Sequence, residues 1–187
     1  MERLAIVIVN YKSAALTIDC LRSLAPELAT RPGVEVVVVD NASGDGSAER
    51  LAAAVRDEGW SGFARVQPEA TNSGFAGGNN AAIRPLLSGA APPDFVMLLN
   101  PDTIVRPGAL SALLAFVRDR PEIGIAGTRL EFPDGTPQFS AFRFPSLLGE
   151  VERGLRLGVA TRLLRAHRVA PPPVDQAHRT DWVSGAA

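Results

Sequence analysis

Val34-Glu35-Val36-Val37-Val38-Val39-Asp40-Asn41 decides the fold. Between Val34 and Val39 only Glu35 is polar, and the valines are all β-branched. A strand with one wet face would alternate polar and apolar residues. This run reads instead as a strand buried on both faces, as in a parallel sheet. It stops at Asp40-Asn41, two turn-forming residues. The same design occurs twice more, at Leu4–Val9 before Asn10-Tyr11 and at Phe95–Leu99 before Asn100-Pro101-Asp102.

Segments with helical spacing separate these runs. Ser13 is placed to cap a helix reaching Leu24, with Leu16, Cys20 and Leu24 on one face. Pro26 and Pro32-Gly33 punctuate the following loop. Ser47–Glu58 reads as a second helix closed by Gly59, and Phe63–Gln67 as a short strand. Gly74–Asn80 is glycine-rich and leads into a helix through Ile83. Pro107–Arg118 is a helix with proline in its first turn, and Ile123–Leu130 reads as a further strand. The alternation argues an open α/β sheet.

The signal weakens after Glu131. A turn at Pro133-Asp134-Gly135 precedes an aromatic-rich segment ending at Phe144. Ser146–Ala166 reads as a helix, Pro171-Pro172-Pro173 as a loop, and the sequence closes on Asp181-Trp182-Val183-Ser184-Gly185-Ala186-Ala187. The expected organisation is a core over residues 1–130 and a partial second region over 131–187.

With 187 residues, 46% apolar and 21% charged, the chain has the composition of one globular domain with an appendage. A net charge of -1 argues against a nucleic-acid partner. The single cysteine, Cys20, rules out an internal disulfide and a thiolate metal cluster. No apolar run reaches the roughly 18–20 residues that span a bilayer. A cytoplasmic location is expected, and arginines between Arg153 and Arg168 leave open peripheral contact with the inner face of the plasma membrane. His167 and His178, among prolines and arginines, read as surface residues.

In an open parallel sheet, ligands bind beyond the C-terminal ends of the strands. Three such ends carry polar residues here: Asn10-Tyr11, Asp40-Asn41 and Asn100-Pro101-Asp102. No glycine-rich turn follows the first strand, which argues against a dinucleotide oxidoreductase and a sugar nucleotidyltransferase. There is no Gly-Lys-Ser/Thr phosphate loop either.

Four segments occur in order: Ile8-Val9-Asn10-Tyr11, Val39-Asp40-Asn41-Ala42-Ser43-Gly44-Asp45-Gly46-Ser47, Asn72-Ser73-Gly74-Phe75-Ala76-Gly77-Gly78-Asn79-Asn80 and Leu99-Asn100-Pro101-Asp102-Thr103. Together they resemble the motif series of family 2 glycosyltransferases, especially the rhamnosyltransferase-like branch, over residues 4–130. The resemblance implies the GT-A fold, a Rossmann-like, mostly parallel α/β sheet flanked by helices. It also implies inverting transfer of a sugar, rhamnose or another hexose, from a dTDP- or UDP-sugar to a glycan or lipid-linked acceptor hydroxyl.

Carried over position by position, the resemblance gives Asp102 the metal, Mg²⁺ or Mn²⁺. Asn100 stands where many relatives carry Asp, leaving one carboxylate rather than two. Asp40 and Asn41 fall near the nucleobase and ribose, with Asn41 replacing an acid. Val9 and Tyr11 line the base pocket, Gly74 permits close backbone approach, and Asn80 lies near the sugar nucleotide. Trp182 falls on the acceptor side. Plainer roles stand beside these: turns for Asp40-Asn41 and Asp102, a helix entry for Gly74–Asn80, and core packing for Tyr11 and Trp182. In relatives the catalytic base follows the Trp-Val-Ser-Gly segment, so none is identified here and it is expected beyond Ala187. The expectation is a truncated chain that holds a donor nucleotide and transfers sugar poorly or not at all; the alternative is a degenerate binding module without catalysis.

Overall fold

The computed structural model of the chain describes residues 2–29, 31–155 and 167–185. They form two compact units, the first ending at Arg120 and the second running from Pro121 to Gly185. The division falls ten residues before the boundary read from the sequence.

The first unit is built on four parallel strands: β1 (Leu4–Asn10), β2 (Val34–Asp40), β3 (Ala64–Pro68) and β4 (Phe95–Leu99). Their order across the sheet is β3-β2-β1-β4. β1 is buried along its whole length and β2 everywhere except Glu35, as continuous apolar runs in a parallel sheet require. Four helices connect or follow these strands: α1 (Ala14–Leu28), α2 (Ser47–Asp57), α3 (Gly74–Ser88) and α4 (Ala109–Arg118). Side chains alternate across a sheet. Val7, Val9, Val37 and Val39 form one face and pack on Ala82 of α3. Ile6, Ile8, Val36 and Val38 face the other way and are fully buried, on the side of the packed pair α1 and α2.

Helix ends depart most from the expectation. α1 runs past Leu24 to Leu28, with Pro26 inside its last turn. Proline removes one backbone donor there, but Ala29 N–H still closes on Ala25 O at 3.0 Å and Leu28 stays buried. α3 likewise passes Ile83 and carries Pro85 near its end. α4 begins at Ala109, after Gly108 at φ 82. Gly108 has no capping side chain, so a carboxylate from elsewhere serves: Glu27 Oε2 of α1 accepts from Ser111 N–H at 3.1 Å.

The second unit holds a short antiparallel pair, β5 (Ala141–Phe142) and β6 (Trp182–Val183), and a helix, α5 (Leu147–Leu155). Ser146 caps α5 by accepting from Gly149 N–H at 3.1 Å. The Pro133-Asp134-Gly135 turn forms between bridged residues Glu131 and Pro137, and Asp134 accepts from Thr136 N–H at 2.9 Å. The expected strand Ile123–Leu130 is not one. It carries no strand ladder, it contains Gly124 and Gly127, which weaken a strand, and Ile125 is 83% exposed. The expected helix beyond Leu155, and with it most of the arginine cluster, lies outside the described residues.

Candidate active site

The strand order locates the site. The chain steps outward from β1 to β2 to β3, then returns to place β4 on the other side of β1. Loops leaving β1 and β4 therefore diverge, and a crevice opens at their C-terminal ends. The register sets Asn10 beside Asp40 and Ile8 beside Leu99, so the three polar strand exits emerge at one level. An open cleft of about 520 Å³ lies there, a volume within the range of small-ligand sites.

Six of the residues singled out from the sequence line this cleft: Val9, Tyr11, Asn41, Gly74, Asn100 and Asp102. Asp40 and Asn80 are not among the lining residues, and Trp182 belongs to the second unit. Ser13, Leu16, Asn72, Phe75 and Pro101 also line it. Tyr11 and Phe75 each expose about half of their surface, placing two aromatic rings at the cleft with apolar faces available to a planar ligand.

Asp40 is committed to the scaffold. It is 4% exposed, and its Oδ1 accepts from Asn10 Nδ2 at 2.7 Å and Ser43 Oγ at 2.6 Å. Its Oδ2 accepts from Ser43 N–H, three residues on, at 3.3 Å, which ties down the start of the loop after β2. Asn10, which is fully buried, is the hub of this network. Its Oδ1 accepts from Ser13 Oγ and Thr17 Oγ1, both at 3.0 Å. Ser43 Oγ also accepts from Lys12 N–H at 2.9 Å. These bonds hold Lys12 and Ala42 at φ 55 and 57, a left-handed conformation that costs L-residues about 1–2 kcal/mol each.

Asp102 is exposed and takes no hydrogen bond from the described residues. Its charge reaches inward: burial first, then Asp102, pushes the Cys20 thiol up to about 12. Cys20 Sγ is fully buried and donates to Asn100 O at 3.7 Å, bracing the loop beneath Asp102.

Asp102 and Asn100 offer oxygen donors, the kind that Mg²⁺ and Mn²⁺ take. Among the described residues no three His, Cys, Asp or Glu side chains gather to cage an ion. The donor set fits a cation whose remaining ligands are phosphate oxygens and water, since Mg²⁺ typically needs only one or two protein carboxylates.

Residues 5–166 match the profile of the family described as Glycosyl transferase family 2. The chain belongs to that family. It is 34% identical over 151 residues to the N-acetylglucosaminyl-diphospho-decaprenol L-rhamnosyltransferase of Mycobacterium tuberculosis, in two strains. That alignment covers 78% of this chain and 47% of the relative, so the chain spans about half the length of the curated relatives it matches. Solved structures share the fold. S. aureus TarS (residues 1-349) in complex with UDP-GlcNAc is similar at a TM-score of 0.51 and 24% identity, over 64% of this chain and 32% of that one. The mannosyltransferase PcManGT from Pyrobaculum calidifontis, in complex with GDP-Man and Mn²⁺, is similar at 0.54 and 22%, over 71% and 36%. These likenesses establish the GT-A, α/β character of the chain.

Family membership is carried by the first unit and extends into the second. There, Trp182 stacks on Phe142 with ring centroids 4.2 Å apart and an interplanar angle of 15°. Its indole N–H donates to Arg143 O at 3.3 Å. Trp182 remains 43% exposed, so any contact it makes with a ligand is through its ring rather than its N–H. Among the described residues no helix is long and apolar enough to cross a membrane.

Proposed function

We propose that the cleft binds a nucleoside-diphosphate sugar and forms the donor side of an inverting sugar transfer to a glycan or lipid-linked acceptor hydroxyl. One observation carries this reading: the carboxylate of Asp102, which takes no hydrogen bond from the described residues, stands at the topological switch point in a cleft where the side chains of Ser13 and Asn41 are bonded within the protein. Asp102, with Asn100 beside it, would hold Mg²⁺ or Mn²⁺ against the diphosphate. The cation would supply positive charge to the leaving diphosphate as the sugar–oxygen bond breaks. Val9, Tyr11 and Phe75 would shelter the base, and the Gly74 backbone, at φ 71, would let the chain approach the donor closely.

Rhamnose carried on dTDP is the first donor to test, because the curated relatives at 34% identity are named for L-rhamnosyl transfer to a diphospho-decaprenol acceptor. A lipid-linked acceptor would bring the reaction to the cytoplasmic face of a membrane. The exposed ring of Trp182 would serve an acceptor sugar.

A second reading, a nucleotide-sugar-binding module without transfer, has its own support. Among the described residues that line the cleft, Asp102 is the only carboxylate, and the metal would claim it, leaving none of them as a base to take the acceptor proton.

Calorimetric titration with UDP and dTDP, each with and without Mn²⁺, tests the donor site. Metal-dependent binding that weakens in Asp102→Ala is the expected result. A folded chain that binds neither nucleotide overturns the reading. Transfer from dTDP-rhamnose to a lipid-linked acceptor separates transferase from binding module.

A further inference from the structure

The resemblance places Asn41 near the nucleobase and ribose, and Asn41 does line the cleft, but its amide is already bonded within the protein. Asn41 is 2% exposed. Its Nδ2 donates to Asn72 Oδ1 and to Gly74 O, both at 3.1 Å. Its Oδ1 accepts from Ser73 N–H at 3.1 Å and Ser73 Oγ at 3.4 Å. A carboxamide has two N–H donors and two acceptor positions, and all four are spent on three consecutive residues of one loop. The backbone is fixed too, since Asn41 N–H donates to Asn10 O at 2.9 Å. To read a base, Asn41 would have to release a loop bond in a nearly water-free setting, where an unmade bond is costly.

We propose that Asn41 is a positioning residue, a clasp that sets the loop Asn72–Gly74 against the cleft, and that Asn72 is the group it delivers to the nucleotide. This rests on the donor-cleft reading. Asn72 lines the cleft. Its Oδ1 is taken by Asn41 Nδ2 and by Gly74 N–H at 2.9 Å, which fixes the flip of its amide and leaves Nδ2 as its ligand-facing edge. Asn72 thus offers an N–H donor to an oxygen of the bound nucleotide. Gly78 completes the clasp from below. A Cβ there would lie 2.9 Å from Val9 Cγ1, so the absence of a side chain lets α3 approach Val9 of β1, while the Asn41 amide at 3.5 Å would be in ordinary contact.

Asn41→Asp separates the two roles. A direct reader of a base N–H would gain, because a carboxylate is the stronger acceptor. A clasp would fail, because the carboxylate then faces two acceptors, Asn72 Oδ1 and Gly74 O. Asn72→Asp keeps the acceptor that binds Asn41 and Gly74 but removes the outward N–H.

Two measurements decide: amide hydrogen exchange of the ligand-free chain, and titration with UDP or dTDP in the presence of Mn²⁺. Protected amides in Val36–Val39 establish that each variant is folded. Asn41→Asp and Asn41→Ala are expected to speed exchange at Ser73 and Gly74 about tenfold and to weaken nucleotide binding about tenfold, each the size of one net hydrogen bond. Asn72→Asp is expected to weaken binding by a similar factor while leaving loop exchange unchanged. Asn41→Asp binding as well as the parent, or a loosened loop with undiminished affinity, overturns the clasp. Wild-type chain that binds no nucleotide overturns the donor-cleft reading itself, and with it the role assigned to Asn72.

Discussion

The two walls of the cleft are made from the same kind of part, a polar exit from a buried parallel strand, yet they differ in how much hydrogen-bonding capacity they have left. At the β2 exit, Asp40 and Asn41 are spent: the carboxylate on Asn10 and Ser43, the carboxamide on Asn72, Ser73 and Gly74. At the β4 exit, Asp102 is exposed and takes no hydrogen bond from the described residues. A carboxylate satisfied inside the protein shapes a wall; an unsatisfied one at a crevice is available to a ligand. Residue type alone does not distinguish them, and the network around each does.

Alanine at the two aspartates gives the largest test of this contrast. Asp40→Ala removes the acceptor of the buried Ser43 hydroxyl and leaves Asn10 Nδ2 only its longer bond to Ser43 Oγ at 3.3 Å, and should cost about 3 kcal/mol of stability, read by urea unfolding. A nearly unchanged midpoint with lost nucleotide affinity would put Asp40 on the ligand instead. Asp102→Ala should do the reverse. Stability should stay within about 0.5 kcal/mol, while affinity for a nucleoside diphosphate with Mn²⁺ falls about 100-fold, or about 2.7 kcal/mol. Next in size, Gly78→Ala should destabilise the chain by about 1–2 kcal/mol, because its Cβ would meet Val9 Cγ1 at 2.9 Å. Thermal unfolding reads this, and an unchanged melting point would mean that α3 shifts freely off β1.

The smallest effect concerns Cys20. Its thiol is pushed up to about 12, so at pH 8 almost none of it is thiolate, the reactive form. Iodoacetamide should leave it unmodified in the native chain and alkylate it once urea exposes it. Rapid native labelling would show that the floor beneath Asp102 opens.

β1 and β2 were legible because a continuous apolar run rich in β-branched residues has few other uses; β4 spans the expected Phe95–Leu99, but at the end of the sheet order only its Leu99 is fully buried. Helix ends were not, because local rules about proline yield to burial: Pro26 is carried in α1 while Leu28 stays packed. The second unit was barely legible, since strands of two residues, such as Ala141–Phe142, leave no periodicity to read. Within the cleft, Asn100 and Asp102 could be found from their place at a strand exit. Ser13, Leu16 and Phe75 could not, although each lies just before or within the first turn of a helix. Helical side chains lean toward the N-terminus, so such residues overhang the C-terminal edge of the sheet. Asn10 appeared in a motif without a role, because a fully buried amide shows its four partners only in three dimensions.

The cap on α4 has a consequence for the order of assembly. Its carboxylate comes from Glu27, 84 residues earlier in the chain, and the loop leading into the helix is pinned by Val105 N–H on Ser23 Oγ across a similar separation. Contacts this distant in sequence form slowly, because a long loop must close before they return anything. During synthesis, the β1–α1–β2 layer can therefore be in place before the chain that completes the Asp102 wall has emerged, and α1 becomes the template on which that wall is finished.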